Sequence, residues 1–329
     1  MLVLVVGANG QLGFRCCEEL VRRGHQVRGS VRSPERAGGL ASVGVDVVTA
    51  EPASATGLGA ALSGVDAVLL TANSAAPRAG DDLTATQAGF ERLVTDAERA
   101  GVRRYCLVSS AHSRVEMHVP LEAGKRKLER RVTTSSMEHV ILRLPPLMEV
   151  WLALVGSSLP LRGEAHATVG RPSPFLRSFR KMSGSLVEDR GLMLVPGSVR
   201  VRNAFLAQTD AARACAEVLE RAETARRDIE VGGPEVLTWG NVAAIYSDVL
   251  GRQVRIMSTP ASVYAAAAAL LKPVAPIPSA TMALNRLAAV TETPWAPGGG
   301  GLVDPASMTT VRAFLESKAA LPDALPRVA

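Results

Sequence analysis

Gly7, Gly10 and Gly13 stand three residues apart, directly after the apolar run Leu2-Val-Leu-Val-Val6 and directly before a helical pattern with Leu12, Cys16 and Leu20 on one stripe. A buried strand, a glycine turn and a helix N-terminus in that order can receive a pyrophosphate. The glycines let the backbone turn sharply and approach the anion. The first helix amides and the positive end of the helix dipole then face it. The spacing is G-x-x-G-x-x-G rather than G-x-G-x-x-G, and the bracketing by strand and helix is what makes it informative.

A second position follows from the same unit. The first helix stops at Gly24, and His25 to Arg32 reads as the next strand. The end of that strand, about 20 residues past the glycines, sorts the two nicotinamide cofactors, because a carboxylate there binds the ribose 2′-hydroxyl. This stretch has no acid before Glu35 and offers Arg32, with Ser30 and Ser33 nearby. A guanidinium suits a 2′-phosphate through charge-assisted bonds, which favours NADPH over NADH. The plain alternative is a solvated arginine at a strand end.

The third position is a lysine. Leu121 to Val132 reads as a helix whose apolar stripe is marked by Leu121, Leu128 and Val132. Lys125 falls on that stripe, whereas Arg126, Lys127, Arg130 and Arg131 fall off it. A lysine facing a core is costly unless paired. Snorkelling to the edge, or an ion pair with Glu122 or Glu129, would each account for it without chemistry. Ser110, His112 and His118, in the loop after the fifth strand, are weaker candidates for proton relay.

The elements needed to position these residues are legible as an α/β alternation. Strands are expected at Val45–Thr49, Val65–Thr71, Tyr105–Ser109 and Glu138–Arg143, with helices at Leu58–Leu62 and Thr86–Ala100 between them. This cadence predicts a doubly wound parallel sheet covered on both faces, with ligands at the carboxyl ends of its strands. Gly7, Arg32, Thr71, Ala72, Asn73, Ser109 and Ser110 all fall at those ends.

Composition narrows the class. The 329 residues are too many for one small core, and 47% hydrophobic content is ordinary for a globular chain. The formal charge is +6, but only 4% of residues are aromatic and no basic run is interleaved with them, so no nucleic-acid partner is expected. Cys16, Cys17, Cys106 and Cys215 lack metal-ligand spacing and fit small core residues in a reducing compartment, so no metal is expected. The N-terminal apolar run lacks signal-peptide features, and Val263 to Leu271 is too short to span a bilayer. The expectation is a cytoplasmic protein without a membrane partner, monomeric or homodimeric.

Several of these segments together resemble the NmrA-like and isoflavone-reductase-like atypical short-chain dehydrogenases/reductases. They are Leu2 to Gly13, Val31-Arg-Ser33, Gly101 to Ser110, Lys125-x-x-x-Glu129, Val140 to Arg143, Met148-Glu-x-Trp151 and Asp228 to Thr238. The resemblance implies a Rossmann fold, with Gly7, Asn9, Gly10, Gln11, Leu12, Gly13, Arg32 and Ser33 binding NADPH. It also implies that Thr71 to Asn73 and Ser109 lie near the nicotinamide, and that Lys125 contacts the cofactor and substrate end of the site. This chain departs from the usual Tyr-x-x-x-Lys, because Leu121 stands where the tyrosine would be, and none of Tyr105, Tyr246 or Tyr264 has a lysine four residues on. Leu144 replaces a usual proline, Val150 a usual asparagine, and Glu51 a usual aspartate beside the adenine.

The resulting domain expectation is a Rossmann domain over residues 1–151 with a return segment at about 195–235, and a smaller, mostly helical substrate-binding region over 152–194 and 236–329. Residues 156–191 read as an irregular insert, either a lid over the substrate or a charged surface loop. The leading functional expectation is an NADPH-dependent reductase of a small, largely apolar organic substrate of secondary metabolism. Lys125, Ser110 and His112 are its candidate catalytic groups. The missing tyrosine keeps two alternatives open: a dinucleotide-binding redox-sensing regulator, and an isomerase or dehydratase that retains its cofactor.

Overall fold

The computed structural model describes residues 1–32, 35, 37, 39–72, 83–164 and 185–322. Ser33, Asn73 and residues 165–184 of the expected insert lie outside the described residues. The first elements in chain order are β1 (Leu2–Val6), α1 (Gln11–Arg22), β2 (Gln26–Val31), β3 (Asp46–Thr49), α2 (Leu58–Leu62) and β4 (Ala67–Leu70). They are followed by α3 (Leu83–Arg99), β5 (Arg104–Ser110), α4 (Pro120–Thr133), β6 (Glu138–Leu144) and α5 (Met148–Leu154). Next come α6 (Leu186–Arg190), β7 (Leu192–Pro196), β8 (Arg202–Asn203), α7 (Gln208–Glu220), β9 (Arg227–Glu230) and β10 (Leu237–Thr238). The last are α8 (Trp239–Leu250), β11 (Arg255–Thr259), α9 (Ala261–Leu271), α10 (Pro276–Val290) and α11 (Val311–Ala319).

Residues 1–110, 124–143 and 208–231 form one compact unit. Its seven strands pair in the order β3-β2-β1-β4-β5-β6-β9 as the expected parallel sheet. The strands are near-continuous apolar runs because both faces are covered. On one face Phe90, Leu93, Val94 and Ala97 of α3 and Leu128 and Val132 of α4 pack on Leu4, Val6, Val68, Leu70 and Leu107. On the other, α1 and α7 bury Cys16, Leu20 and Cys215. All four cysteines are buried free thiols, and desolvation pushes Cys17 up to about 12. Arg104, 1% exposed, donates to the carbonyls of Val218, Leu219 and Arg221 at the end of α7, where a helix leaves its last carbonyls unpaired.

Register brings the candidate residues to one edge. Val6 lies opposite Ser30 on one side and Leu70 on the other, so Gly7 and Thr71 leave the sheet together. Leu70 lies opposite Leu107, and β5 runs on to Ser110. The strand order reverses between β1 and its neighbours β2 and β4, which is where such sheets open a ligand crevice.

The second unit comprises residues 111–123, 144–207 and 232–329. It is mostly helical, with the small pairs β8–β10 and β7–β11. Its core gathers Met148, Leu152, Phe205, Trp239, Val242, Tyr246, Phe314 and Leu315, with the Phe205 ring edge-on to Trp239 at 5.1 Å. The α8 helix begins with a capping box between Thr238 and Asn241 and ends at Gly251 in the left-handed region. Asp304-Pro305 opens only a short 3-10 turn, because Asp304 caps Ala306 locally, and the terminal helix starts at Val311 under its own cap, Thr310. The α10 helix begins at Pro276, where a proline suits the first turn.

Helix α1 lies so close to β1 that a Cβ at Gly13 would stand 2.1 Å from the Gly7 carbonyl oxygen, whereas one at Gly59 on α2 would meet nothing within 4 Å. Gly13→Ala is therefore expected to lower unfolding stability by about 1–3 kcal/mol. Gly59→Ala should raise it by roughly 0.5–1 kcal/mol. Urea midpoints of the two variants test the pair; equal effects would contradict the close packing.

Candidate functional site

The turn between β1 and α1 is built around a tight hydrogen bond, the Gly10 amide donating to the Gly7 carbonyl at 2.8 Å. Gly7 sits at φ +91°, in the left-handed region, and a Cβ there would be 2.8 Å from the Ala72 nitrogen. Thus Gly7 is required both by its own conformation and by the close passage of the chain leaving β4. Gly10 occupies the N-cap position of α1 without any side-chain cap. The first-turn amides of α1 accordingly have no intrahelical acceptor and no side chain to satisfy them. The Gln11 side-chain amide nitrogen beside them is buried without a hydrogen-bond partner. Bare amides, a positive dipole end and an orphaned buried donor are the chemistry that a dinucleotide pyrophosphate requires, so the residues present fit such a group. Gly10, Gln11, Leu12 and Gly13 would hold it.

Around this turn, the Thr71 amide and hydroxyl and the Ala72 amide all donate to the Val6 carbonyl, at 3.0, 3.1 and 3.1 Å. Arg32 follows β2 and is exposed, its Nε 3.7 Å from a Glu51 carboxylate oxygen. Glu51 follows β3, and the Ala50 amide bonds the Val31 carbonyl, which ties the two strand ends together. A phosphate arriving beside Arg32 would compete with this carboxylate for the guanidinium.

Behind the end of β5 lies a charge cluster that sequence reading did not assemble. Glu129 of α4 accepts from the Ser109 hydroxyl and from Arg126 Nη1. The same carboxylate takes a two-pronged contact from Arg143 of β6, at 2.9 and 3.0 Å. Arg143 also reaches Asp228 of β9 at 2.7 Å. Both guanidiniums donate to the Ser110 carbonyl, Arg143 at 2.9 Å and Arg126 at 3.0 Å, and Arg126 also donates to the Ser110 hydroxyl at 3.0 Å. Burial alone would push the Glu129 carboxyl up, but the Arg143 bonds, the Ser109 hydroxyl and the two positive charges hold it below its ordinary range. Burial likewise disfavours the charged Arg143, and Glu129 and Asp228 outweigh it. The cluster clamps the carboxyl end of β5 against α4 and β6.

This corrects the helix-face expectation. The buried stripe of α4 carries Glu122, Arg126 and Glu129, at 2%, 4% and 7% exposure, together with Leu128 and Val132. Arg126, expected off the stripe, is on it because its planar fork finds Glu129 and Ser110 there. Lys125 is half-buried, one residue from that anchor. Ser109 turns its hydroxyl into the cluster. In the second unit, His112 is 59% exposed, 3.4 Å from Glu116, and His118 is exposed. A signal for the cluster was present: Arg143 directly follows the apolar run Val140 to Leu142, and a charge there demands a partner.

The folded Glu129 carboxyl holds its proton less tightly than an ordinary glutamate at about 4.3. Its ionisation therefore favours the fold, fully above that value, and the contribution is lost as pH falls through the lower folded value. Glu129→Gln should cost about 3–5 kcal/mol near neutral pH by leaving two buried guanidiniums short of a charge. The gap from the unsubstituted protein should close below about pH 4.3. Denaturant unfolding across pH tests this, and a pH-independent gap would contradict it.

Residues 7–150 match a family model described as NAD(P)H-binding. The photosystem II assembly factor Ycf39 of Synechocystis sp. is 30% identical over 152 residues, 45% of this chain and 46% of that protein. The chain spans about half the length of the curated relatives it matches. Among solved structures, the NADPH-dependent quinone oxidoreductase QOR2 of Escherichia coli complexed with NADPH has a TM-score of 0.68 at 22% identity, covering 96% of this chain and 99% of that one. The Citrobacter sp. triphenylmethane reductase complexed with NADP(H) has a TM-score of 0.69 at 18% identity, covering 97% and 100%. Residues 7–150 therefore match an NAD(P)H-binding family model, and the likeness to these solved structures shows that the chain has their Rossmann fold.

Proposed function

We propose that this protein is an NADPH-dependent reductase of a small, largely apolar organic molecule bearing a polarised C=C or C=O bond. The observation that carries the reading is the uncapped, glycine-lined start of α1 at the point where the strand order reverses, with an orphaned amide of Gln11 beside it. NADPH, when bound, supplies a hydride. The chain supplies position and charge. The α1 amides and Gln11 would hold the pyrophosphate, with Asn9, Thr71 and Ala72 beside them at the same sheet edge. Arg32 would take the 2′-phosphate in exchange for its contact with Glu51. The clamp on Ser110 fixes the strand end beside which the nicotinamide lies. Lys125 hydrogen-bonds the nicotinamide ribose or the oxygen on which negative charge develops in the substrate. Ser110 and His112 are the candidate relay to solvent.

A second reading has the domain bind the dinucleotide without turning anything over. Leu121 in the place of the usual tyrosine favours it, as does the 30% identity to an assembly factor. The two readings part on a single property, whether bound NADPH is oxidised when quinone or enone acceptors are added.

Arg32→Ala should weaken NADPH about tenfold to a hundredfold, the worth of charge-assisted bonds, and leave NADH nearly unchanged. Titration of both cofactors tests this, and equal losses would remove the phosphate assignment. Lys125→Ala should lower kcat at least about a hundredfold with unchanged thermal unfolding. Full turnover in that variant would leave the lysine without a chemical role.

A further inference from the structure

The helical hairpin of α9 and α10 has surface properties that dinucleotide binding does not explain. Helix α9 is Ala-Ser-Val-Tyr followed by five alanines and two leucines, apolar on every side, yet none of its residues is buried. A helix hydrophobic all round is ordinarily surrounded by protein or lipid. Its partner is α10, against which it is held by the Ser279 hydroxyl donating to the Ala268 carbonyl at 2.7 Å. The root is anchored in the second unit, where a Cβ at Gly197 would stand 2.4 Å from the Ala289 carbonyl oxygen. The far end is not covered: Leu270 and Val274 are 77% and 78% exposed. Eight large apolar side chains are exposed among the described residues; three of them, Val263, Leu270 and Val274, lie on this hairpin, and Met257 lies on β11 just before it.

Charge identifies the occupant. Between Asp248 and Glu292 there is no acidic residue, while Arg252, Arg255, Lys272 and Arg286 are all basic. Lys272 sits between the two most exposed apolar side chains and is itself exposed. A cation flanked by aliphatic side chains on a chain segment without acids is the chemistry of an interfacial element: the apolar groups enter the acyl boundary and the cation meets anionic headgroups. No described helix is long and apolar enough to cross a membrane. Lying in its surface needs no such length.

We propose that the α9–α10 hairpin docks this protein onto the surface of an anionic lipid bilayer, Leu270 and Val274 entering the interface and Lys272 contacting headgroups. This is independent of the proposed reductase activity. The test is sedimentation of the full chain with vesicles of equimolar phosphatidylcholine and phosphatidylglycerol, or of phosphatidylcholine alone. Binding should be strong to the anionic vesicles, weaker to the neutral ones, and reduced by salt. The double substitution Leu270→Glu and Val274→Glu should lower the partition at least about tenfold, and Lys272→Glu should remove most of the preference for phosphatidylglycerol. In Val274→Trp, which adds no charge, the new fluorescence should shift to the blue at lower lipid concentration on anionic than on neutral vesicles. Absence of binding by the unsubstituted chain, full binding by the double variant, or an unshifted tryptophan would overturn the proposal. Self-association lost in the double variant without vesicle binding would do so too, and would assign the face to a second copy of the chain.

Discussion

A backbone carbonyl just past the end of the first strand leaves no room for a side chain at the third position of the first helix. The Gly13 position meets the Gly7 carbonyl, and Gly7 in turn meets the chain leaving β4. With side chains excluded, α1 starts hard against the carboxyl edge of the sheet, its unpaired amides at the reversal of strand order. The candidate ligand contacts at Thr71, Ala72 and Arg32 leave neighbouring strands at that edge. The site is therefore a consequence of packing before it is one of chemistry.

The far side of the same edge is organised by charge. Glu129 and Asp228 oppose Arg126 and Arg143, and the two guanidiniums converge on the Ser110 carbonyl. Burying such groups is unfavourable singly and is offset here by their mutual ion pairs and hydrogen bonds. What the arrangement supplies is definition: α4, β5, β6 and β9 are fixed against one another at the residues that flank the expected nicotinamide position. An apolar cluster of the same size would not hold a strand terminus by its carbonyl.

Most of the sheet was legible in the chain because parallel strands buried on both faces are continuous apolar runs, as in Val3 to Val6 and Ala67 to Leu70. The glycine turn was legible for the same reason that it works, since few residues tolerate those contacts. The charge cluster was not, because its members come from α4, β5, β6 and β9, and an amphipathic count treats a buried arginine as a solvated one. Arg126 fell off the apolar stripe by that count, and only the location of its partners shows why it is buried. The start of α11 at Val311 is set locally, by the second of two caps six residues apart, at Asp304 and Thr310. In the second unit the long alanine-rich segment could be read as helix but not as exposed, since exposure depends on what fails to pack against it.

The absence of the usual tyrosine separates binding from turnover in this chain, and every chemical role assigned above requires the dinucleotide to be held first. Calorimetric titration of the intact protein with NADPH, and separately with NADH, tests that requirement most directly. The account predicts saturable binding of one dinucleotide per chain, tighter for NADPH. An absence of heat with both would contradict it.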